Sequence, residues 1–71
     1  MNKYIVAYVS LFENELKQVL VEADSELATA YKYLAEKEDI IFDESEQHPS
    51  LEELISTMFD MDSNLSVYKL D

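Results

Sequence analysis

The side chains best suited to chemistry in this sequence are carboxylates, and most of them lie in one stretch. Residues 36–62, the acidic segment, contain ten carboxylates and a single base, Lys37, and so carry nine of the eleven net negative charges. Paired carboxylates can transfer protons or bind a divalent cation when they face one site. Helix neighbours such as Glu52 and Glu53 point apart. We therefore expect a solvated acidic face, or an acidic face that binds a partner.

The last residues of this segment match the first positions of a calcium-binding loop. Asp60, Asp62 and Asn64 match its first, third and fifth positions, and Asp71 falls at the twelfth. The sixth position, where the loop needs glycine for a sharp turn, is Leu65. We expect a helix end followed by a turn here, with no metal ion and no other cofactor.

His48 is the only histidine, and the chain has neither cysteine nor glycine. A catalytic base needs a nucleophile or an acid beside it in a pocket. No serine lies in a recognisable nucleophile motif, and without glycine there is no phosphate-cradling loop. The residue precedes Pro49 at a helix entry, where an ordinary loop residue is expected. These features predict that the protein is not an enzyme.

Length and composition predict one small folded domain covering residues 1–71. The hydrophobic fraction of 48% is too high for a disordered acidic tail. A core of this size is marginal and has no disulfide to support it, so dimerisation would help by burying more surface. The apolar run at residues 4–12 is too short to cross a bilayer. We expect a cytoplasmic protein that does not contact membranes.

The first half of the chain predicts two strands and a helix. Tyr4–Phe12 is apolar on both faces, which is typical of a central strand. A turn at residues 13–15, with Asn14 accepting positive φ, leads to an edge strand at residues 16–23. Asp24 and Ser25 can then cap a helix. Its buried stripe is predicted to contain Leu27, Ala30, Tyr31, Leu34 and Ala35, which leaves Tyr33 exposed.

The second half predicts a loop, a helix and a short strand. The loop at residues 38–49 carries three apolar residues, Ile40, Ile41 and Phe42, that should pack on the core or on a partner. Ser50 and Glu53 form a capping box at the next helix, with a buried stripe of Leu51, Leu54, Ile55, Met58 and Phe59. A left-handed exit at Ser63–Asn64 should lead to a strand at residues 65–70.

The order β-β-α-α-β predicts an α+β fold in which a three-stranded sheet, with the first strand in the middle, packs both helices on one face. Five lysines without arginine argue against direct binding of nucleic acid. The functional hypothesis is therefore a non-catalytic binding protein that presents its acidic face to a basic protein surface. The predicted partner-binding residues are Glu38, Asp39, Phe42, Asp43, Glu44, Glu46, Glu52 and Glu53.

In size and composition, the chain resembles the small acidic proteins that bacteriophages make to block host enzymes or defence systems. Several of those proteins present carboxylates to nucleic-acid-binding proteins in place of phosphates. The residues behind the resemblance are the carboxylates of the acidic segment. The resemblance implies an inhibitor that occludes a basic surface. The alternative hypothesis is a small self-associating protein whose exposed apolar residues form oligomer contacts, while its charge only keeps it soluble.

Overall fold

A computed structural model describes residues 2–43, 45 and 47–70 of the chain. It confirms the α+β class and the predicted order of elements. The elements are β1 (Asn2–Ser10), β2 (Glu15–Ala23), α1 (Glu26–Lys37), α2 (Leu51–Asp60) and β3 (Ser63–Lys69).

The three strands form one antiparallel sheet in the order β2-β1-β3, which confirms that the first strand is central. Val6 lies opposite Val19 on one side and Val67 on the other. Because side chains alternate across a strand, this register divides the sheet into two faces. One face packs on the helices and includes the buried residues Tyr4, Val6 and Tyr8.

No helix in the described part of the chain packs on the other face, which we call the open sheet face. By register it contains Lys3, Ile5, Ala7 and Val9 of β1, Leu16, Gln18, Leu20 and Glu22 of β2, and Asn64, Ser66 and Tyr68 of β3.

The predicted end of the first strand at Phe12 is wrong. The strand ends at Ser10, and residues 11–14 form a four-residue turn in which the amide of Asn14 donates to the Ser10 carbonyl. Asn14 has φ 53°, as expected from its tolerance of the left-handed region. Because Leu11 and Phe12 lie in this turn and not in the strand, Phe12 is exposed and does not share the buried face.

Helix α1 begins as predicted, because Ser25 Oγ accepts a hydrogen bond from the Ala28 amide. Its buried face differs from the prediction. Thr29, Ala30, Tyr33 and Leu34 are buried, whereas Ala35 is exposed. Thr29 tolerates burial because its hydroxyl donates to the Ser25 carbonyl. Tyr33 turns inward because its ring packs on Tyr8, with centroids 5.6 Å apart.

Helix α2 confirms the Ser50 cap, whose Oγ accepts from the Glu53 amide at 3.3 Å. Leu54 and Met58 are buried, but Phe59 is exposed, contrary to the predicted stripe. The predicted left-handed exit at Ser63–Asn64 is also wrong, because Asp62 takes the left-handed conformation, with φ 60°. Ser63 and Asn64 are already in β3, which therefore starts two residues early.

Both helices contribute to one core on the same face of the sheet. Its buried residues are Val6, Tyr8, Val21, Ala30, Tyr33, Leu34, Leu54, Met58 and Leu65. Ile40 and Phe42 from the loop between the helices pack against this cluster, whereas Ile41 is exposed. Within residues 2–43, 45 and 47–70, no helix is long and apolar enough to cross a membrane.

Candidate functional site

The acidic segment runs from the last turn of α1, through the connecting loop and along α2, into the turn before β3. Most of its carboxylates face water. Those described as exposed are Glu36, Asp39, Asp43, Glu52, Glu53, Asp60 and Asp62. Glu44 and Glu46 lie outside the described residues. The predicted acidic face therefore includes Asp39, Asp43, Glu52 and Glu53 as solvated groups.

Asp39 and Asp43 occupy structurally distinct positions in the loop. Asp39 has φ 58° and reverses the chain directly after α1. The next amide, of Ile40, donates to the Leu34 carbonyl at 2.9 Å, which turns Ile40 back onto the core. Asp43 follows Phe42, and its carbonyl accepts from the side-chain amide of Gln47 at 3.5 Å. Both carboxylates lie on segments anchored by neighbouring contacts.

Glu38 differs from the other carboxylates because it is bound within the protein. Its Oε2 lies 3.0 Å from Lys17 Nζ and accepts a 2.8 Å hydrogen bond from the Tyr33 hydroxyl. Only 9% of the side chain is exposed. These contacts fasten the end of α1 to β2. We accordingly leave Glu38 out of the surface that a partner could bind.

This network changes the protonation behaviour of both donors. Burial, together with the hydrogen bond to Glu38, raises the pKa of Tyr33 well above its usual range. The hydrogen bond to Glu38 also raises the pKa of Lys17, with a smaller contribution from Glu13. Both groups therefore keep their protons in the folded protein at pH values where the unfolded chain begins to release them.

Few of the described carboxylates are paired with a neighbouring base. In the part of the chain that the structure describes, the salt bridges all involve Lys17, which contacts Glu38 and, at 3.3 Å, Glu13. The seven exposed carboxylates of the acidic segment are not in these pairs. Their field is consequently directed at solvent, and a basic surface would be attracted to it.

Phe42 anchors the loop through an aromatic cluster. Its ring meets Tyr31 and His48 edge-on, at centroid distances of 5.8 and 5.1 Å. The Tyr31 hydroxyl accepts from the His48 amide at 2.7 Å and lies 2.8 Å from Nδ1 of the same residue. Thr57 Oγ1 is 2.9 Å from Nε2. The cluster holds the loop against both helices.

The geometry around His48 gives both ring nitrogens a hydroxyl partner. The Tyr31 hydroxyl lies at Nδ1 and the Thr57 hydroxyl at Nε2, and a hydroxyl can either donate or accept a hydrogen bond. This arrangement locks the imidazole between α1 and α2. These contacts could not be predicted from the sequence, because Tyr31 and Thr57 lie 17 and 9 positions from His48 and give no local signal.

A pocket of about 490 Å³ lies at one end of the sheet, where the turn after β1, the end of α2 and the start of β3 meet. Its lining combines the exposed apolar side chains Leu11 and Phe59 with the carboxylates Asp60 and Asp62. Apolar anchors beside carboxylates suit a side chain such as lysine or arginine, which has an apolar stem and a charged head. Leu11 and Phe59 are far apart in sequence, and nothing local could have paired them.

The stretch resembling a calcium loop is divided between two elements. Asp60 ends α2, Asp62 forms the turn, and Ser63 is buried in β3 with its Oγ 3.0 Å from the Tyr8 hydroxyl. Leu65, at the position that requires glycine, is a core residue. No group of three His, Asp or Glu residues that could hold a metal ion occurs in the described ranges, and Asp71 lies outside them.

Comparisons with protein-family models, with curated proteins and with solved structures found no match to this chain.

Proposed function

We propose that this protein is a non-catalytic binding protein that presents its acidic segment to a basic surface on another protein. The observation that carries the proposal is the set of seven exposed carboxylates in the acidic segment, outside the salt bridges of the described chain. A concentrated field of one sign speeds association with a surface of opposite sign and disfavours other partners. The resemblance to phage inhibitors favours a nucleic-acid-binding protein as target, acting in the cytoplasm.

Two structural features support binding over simple solubility. The loop that carries Asp43 is held by Phe42, Tyr31 and His48, so part of the charged surface is ordered before a partner arrives. Preordered surfaces lose less conformational entropy on association. The pocket between Leu11 and Phe59 adds apolar contact next to carboxylates. Lysine and arginine side chains of a target could fill it, with their charged ends on Asp60 and Asp62.

The mechanism is occlusion. A basic surface that normally contacts phosphates would be covered by carboxylates, which accept the same charge-assisted hydrogen bonds from lysine and arginine. Glu52 and Glu53 contribute from the first turn of α2, and Asp43 contributes from the loop. No bond is made or broken, so inhibition would be stoichiometric and reversible by salt.

The test compares two triple charge-reversal variants in affinity capture from a lysate of the source cell, with mass-spectrometric identification. The test variant is Asp43→Lys/Glu52→Lys/Glu53→Lys. The matched control is Glu15→Lys/Asp24→Lys/Glu26→Lys, whose residues are also exposed. Each variant places two lysines near the N-terminus of a helix, where a positive charge costs about 0.3–1 kcal/mol. The two should therefore be destabilised to a similar extent.

The wild type and the control should capture the same basic proteins, and the test variant should lose them. Capture should also weaken as salt rises from about 0.1 M to about 1 M, because the screening length falls from ~10 Å to ~3 Å. A partner retained equally by all three proteins, or retained unchanged at high salt, would contradict the proposal. Circular dichroism of each variant establishes that it is folded.

A further inference from the structure

The open sheet face is unusual for so charged a chain. Six of its residues are apolar: Ile5, Ala7, Val9, Leu16, Leu20 and Tyr68. On the two edge strands these side chains are largely accessible, with Leu16 62%, Leu20 54% and Tyr68 60% exposed. Contiguous exposed apolar surface on a small protein is typical of an interaction site.

Its charge also sets this face apart from the rest of the molecule. Among its strand residues, all of which the structure describes, the charged side chains are Lys3 and Glu22, which lie opposite each other across β1 and β2. The face is therefore neutral on a chain whose formal net charge is −11. The proposed binding of a basic partner does not use it, because a neutral face has no attraction for basic residues.

A neutral face on a strongly acidic chain favours a second copy of this chain as the occupant. Two copies that approached through their acidic segments would meet like charge, whereas two open sheet faces meet without net repulsion. A two-fold axis requires such a self-complementary patch. Sheets commonly pack face to face through apolar side chains at a separation of about 10 Å.

The size of the face fits a weak dimer. Strands of nine, nine and seven residues, at about 3.3 Å per residue and about 4.8 Å per strand, give a flat footprint of roughly 400 Å² on each copy. Two copies would cover roughly 800 Å², which is below the ~1,000 Å² expected of a stable interface and fits a weak, transient one. We propose that the protein forms a face-to-face homodimer through the open sheet face, with a dissociation constant in the micromolar range or weaker.

Such a dimer would direct the acidic segments of the two copies away from each other, because α1 and α2 pack on the opposite face of each sheet. The smallest dimension of the Cα framework is 19 Å, whereas charges are screened over about 8 Å at physiological salt. At about 0.01 M salt the screening length is ~30 Å and the two segments still repel each other, so raising salt from that level should strengthen dimerisation. This is opposite to the weakening expected for capture of a basic partner.

Sedimentation equilibrium tests the proposal on the full chain between about 10 µM and about 1 mM. The interface variant is Leu16→Lys/Leu20→Lys. The matched control is Ile41→Lys/Phe59→Lys, which replaces two other exposed apolar residues, 75% and 66% accessible, outside the open sheet face. Both variants reduce the net negative charge by the same amount. If general repulsion governed association, both would associate more than the wild type.

The wild type and the control should show a mass that rises from monomer to dimer with concentration. The interface variant should raise the dissociation constant at least about a hundredfold, since each factor of ten corresponds to 1.4 kcal/mol and each dimer loses four leucines. Should that variant fail to fold, Gln18→Lys places a charge at an exposed position of the same face. It is expected to weaken the dimer as well.

Three results would overturn the proposal: a wild type that is monomeric at every concentration and salt level, a dimer that the interface variant leaves intact, or a dimer lost only in the control. None of them depends on the basic partner, because the measured quantity is the mass of the purified protein. Conversely, the reversal of Asp43, Glu52 and Glu53 should leave the dimer in place while abolishing capture, so the two proposals can fail separately.

Discussion

The hydrogen bond between Tyr33 and Glu38 can be tested by removing a single oxygen atom. The Tyr33 side chain is 1% exposed, and its hydroxyl donates to Glu38 Oε2 at 2.8 Å. A hydrogen bond to a charged group stabilises a fold by about 1.5–3 kcal/mol. Glu38 keeps its contact with Lys17 when the hydroxyl is removed, so the lower end applies. Tyr33→Phe should reduce the free energy of unfolding by about 1.5 kcal/mol at neutral pH.

The same bond predicts how this difference depends on pH. In the unfolded chain Tyr33 ionises with a pKa near 10.0, whereas burial and Glu38 hold its proton in the folded state to higher pH. Between these values the unfolded state binds fewer protons, so the stability of the wild type falls as pH rises, by about 1.4 kcal/mol per pH unit for one group. The advantage of about 1.5 kcal/mol over Tyr33→Phe should therefore largely disappear near pH 11.

Urea denaturation followed by far-UV circular dichroism, at pH 8, 10 and 11, measures this difference. Lys17 also has a raised pKa; its contribution is likewise lost as pH rises, but it is present in both proteins and cancels to first order. Tyr68→Phe is the matched control, because it removes a hydroxyl from an exposed tyrosine. It should change stability by no more than about 0.5 kcal/mol. A wild-type advantage that stayed constant from pH 8 to 11 would refute the ionisation argument, and no loss at pH 8 would refute the hydrogen bond.

Three further predictions concern the helix start, the loop and the charge. Ser50→Ala should reduce the free energy of unfolding by about 0.5–2 kcal/mol, because Ser50 caps the Glu53 amide. The control is Ser56→Ala, at an exposed position inside α2. Equal effects of the two substitutions in chemical denaturation would count against the cap. Phe42→Asp should reduce the free energy of unfolding by roughly 1–3 kcal/mol, since the ring packs on the core. Ile41→Asp should leave it nearly unchanged, because Ile41 is exposed. A larger effect of Ile41→Asp would contradict the described loop. Raising salt from about 0.01 M to about 0.15 M shortens the screening length from ~30 Å to ~8 Å and should raise Tm, whereas a flat or falling Tm would show that self-repulsion is minor.

The features that could be predicted from the sequence depend on local signals. A run that is apolar on both faces identified β1 as the central strand, and serine followed three residues later by glutamate identified the start of α2 at Ser50. Asn14 could be placed in the left-handed region because asparagine is one of the few residues other than glycine that adopt this conformation. Each signal lies within a few residues of the structure it determines, so a single sequence suffices to read it.

The inward faces of the helices could not be fixed in this way. Helix α1 has apolar or aromatic residues at several positions around its axis. A buried stripe through Tyr31 fits the sequence as well as a stripe through Tyr33. The choice depends on tertiary partners, since Tyr33 finds Tyr8 and Glu38 on the sheet side. Phe59 was placed inside by its spacing, but α2 ends one residue later, and its ring lines a surface pocket instead.

The candidate site shows the same division between local and distant information. The acidic segment could be recognised directly, because charge along a chain needs no fold to be counted. The burial of Glu38 away from that surface could not be predicted, because its partner Lys17 lies 21 residues away in the sequence. Likewise, the contact of His48 with Tyr31 depends on how the loop returns to α1. These distant contacts decide which carboxylates are left available to a partner.

The separation of charge from apolar surface links the two proposals and makes them distinguishable in one experiment. Exposed carboxylates are concentrated on the helices and the loop, and the open sheet face is neutral apart from the pair of Lys3 and Glu22. Salt weakens attraction between opposite charges but also relieves repulsion between two like-charged copies. A salt titration that monitors both partner capture and dimer mass should therefore move the two readouts in opposite directions. If both weakened together, the dimer would depend on charge attraction, and the apolar sheet face would not be its interface.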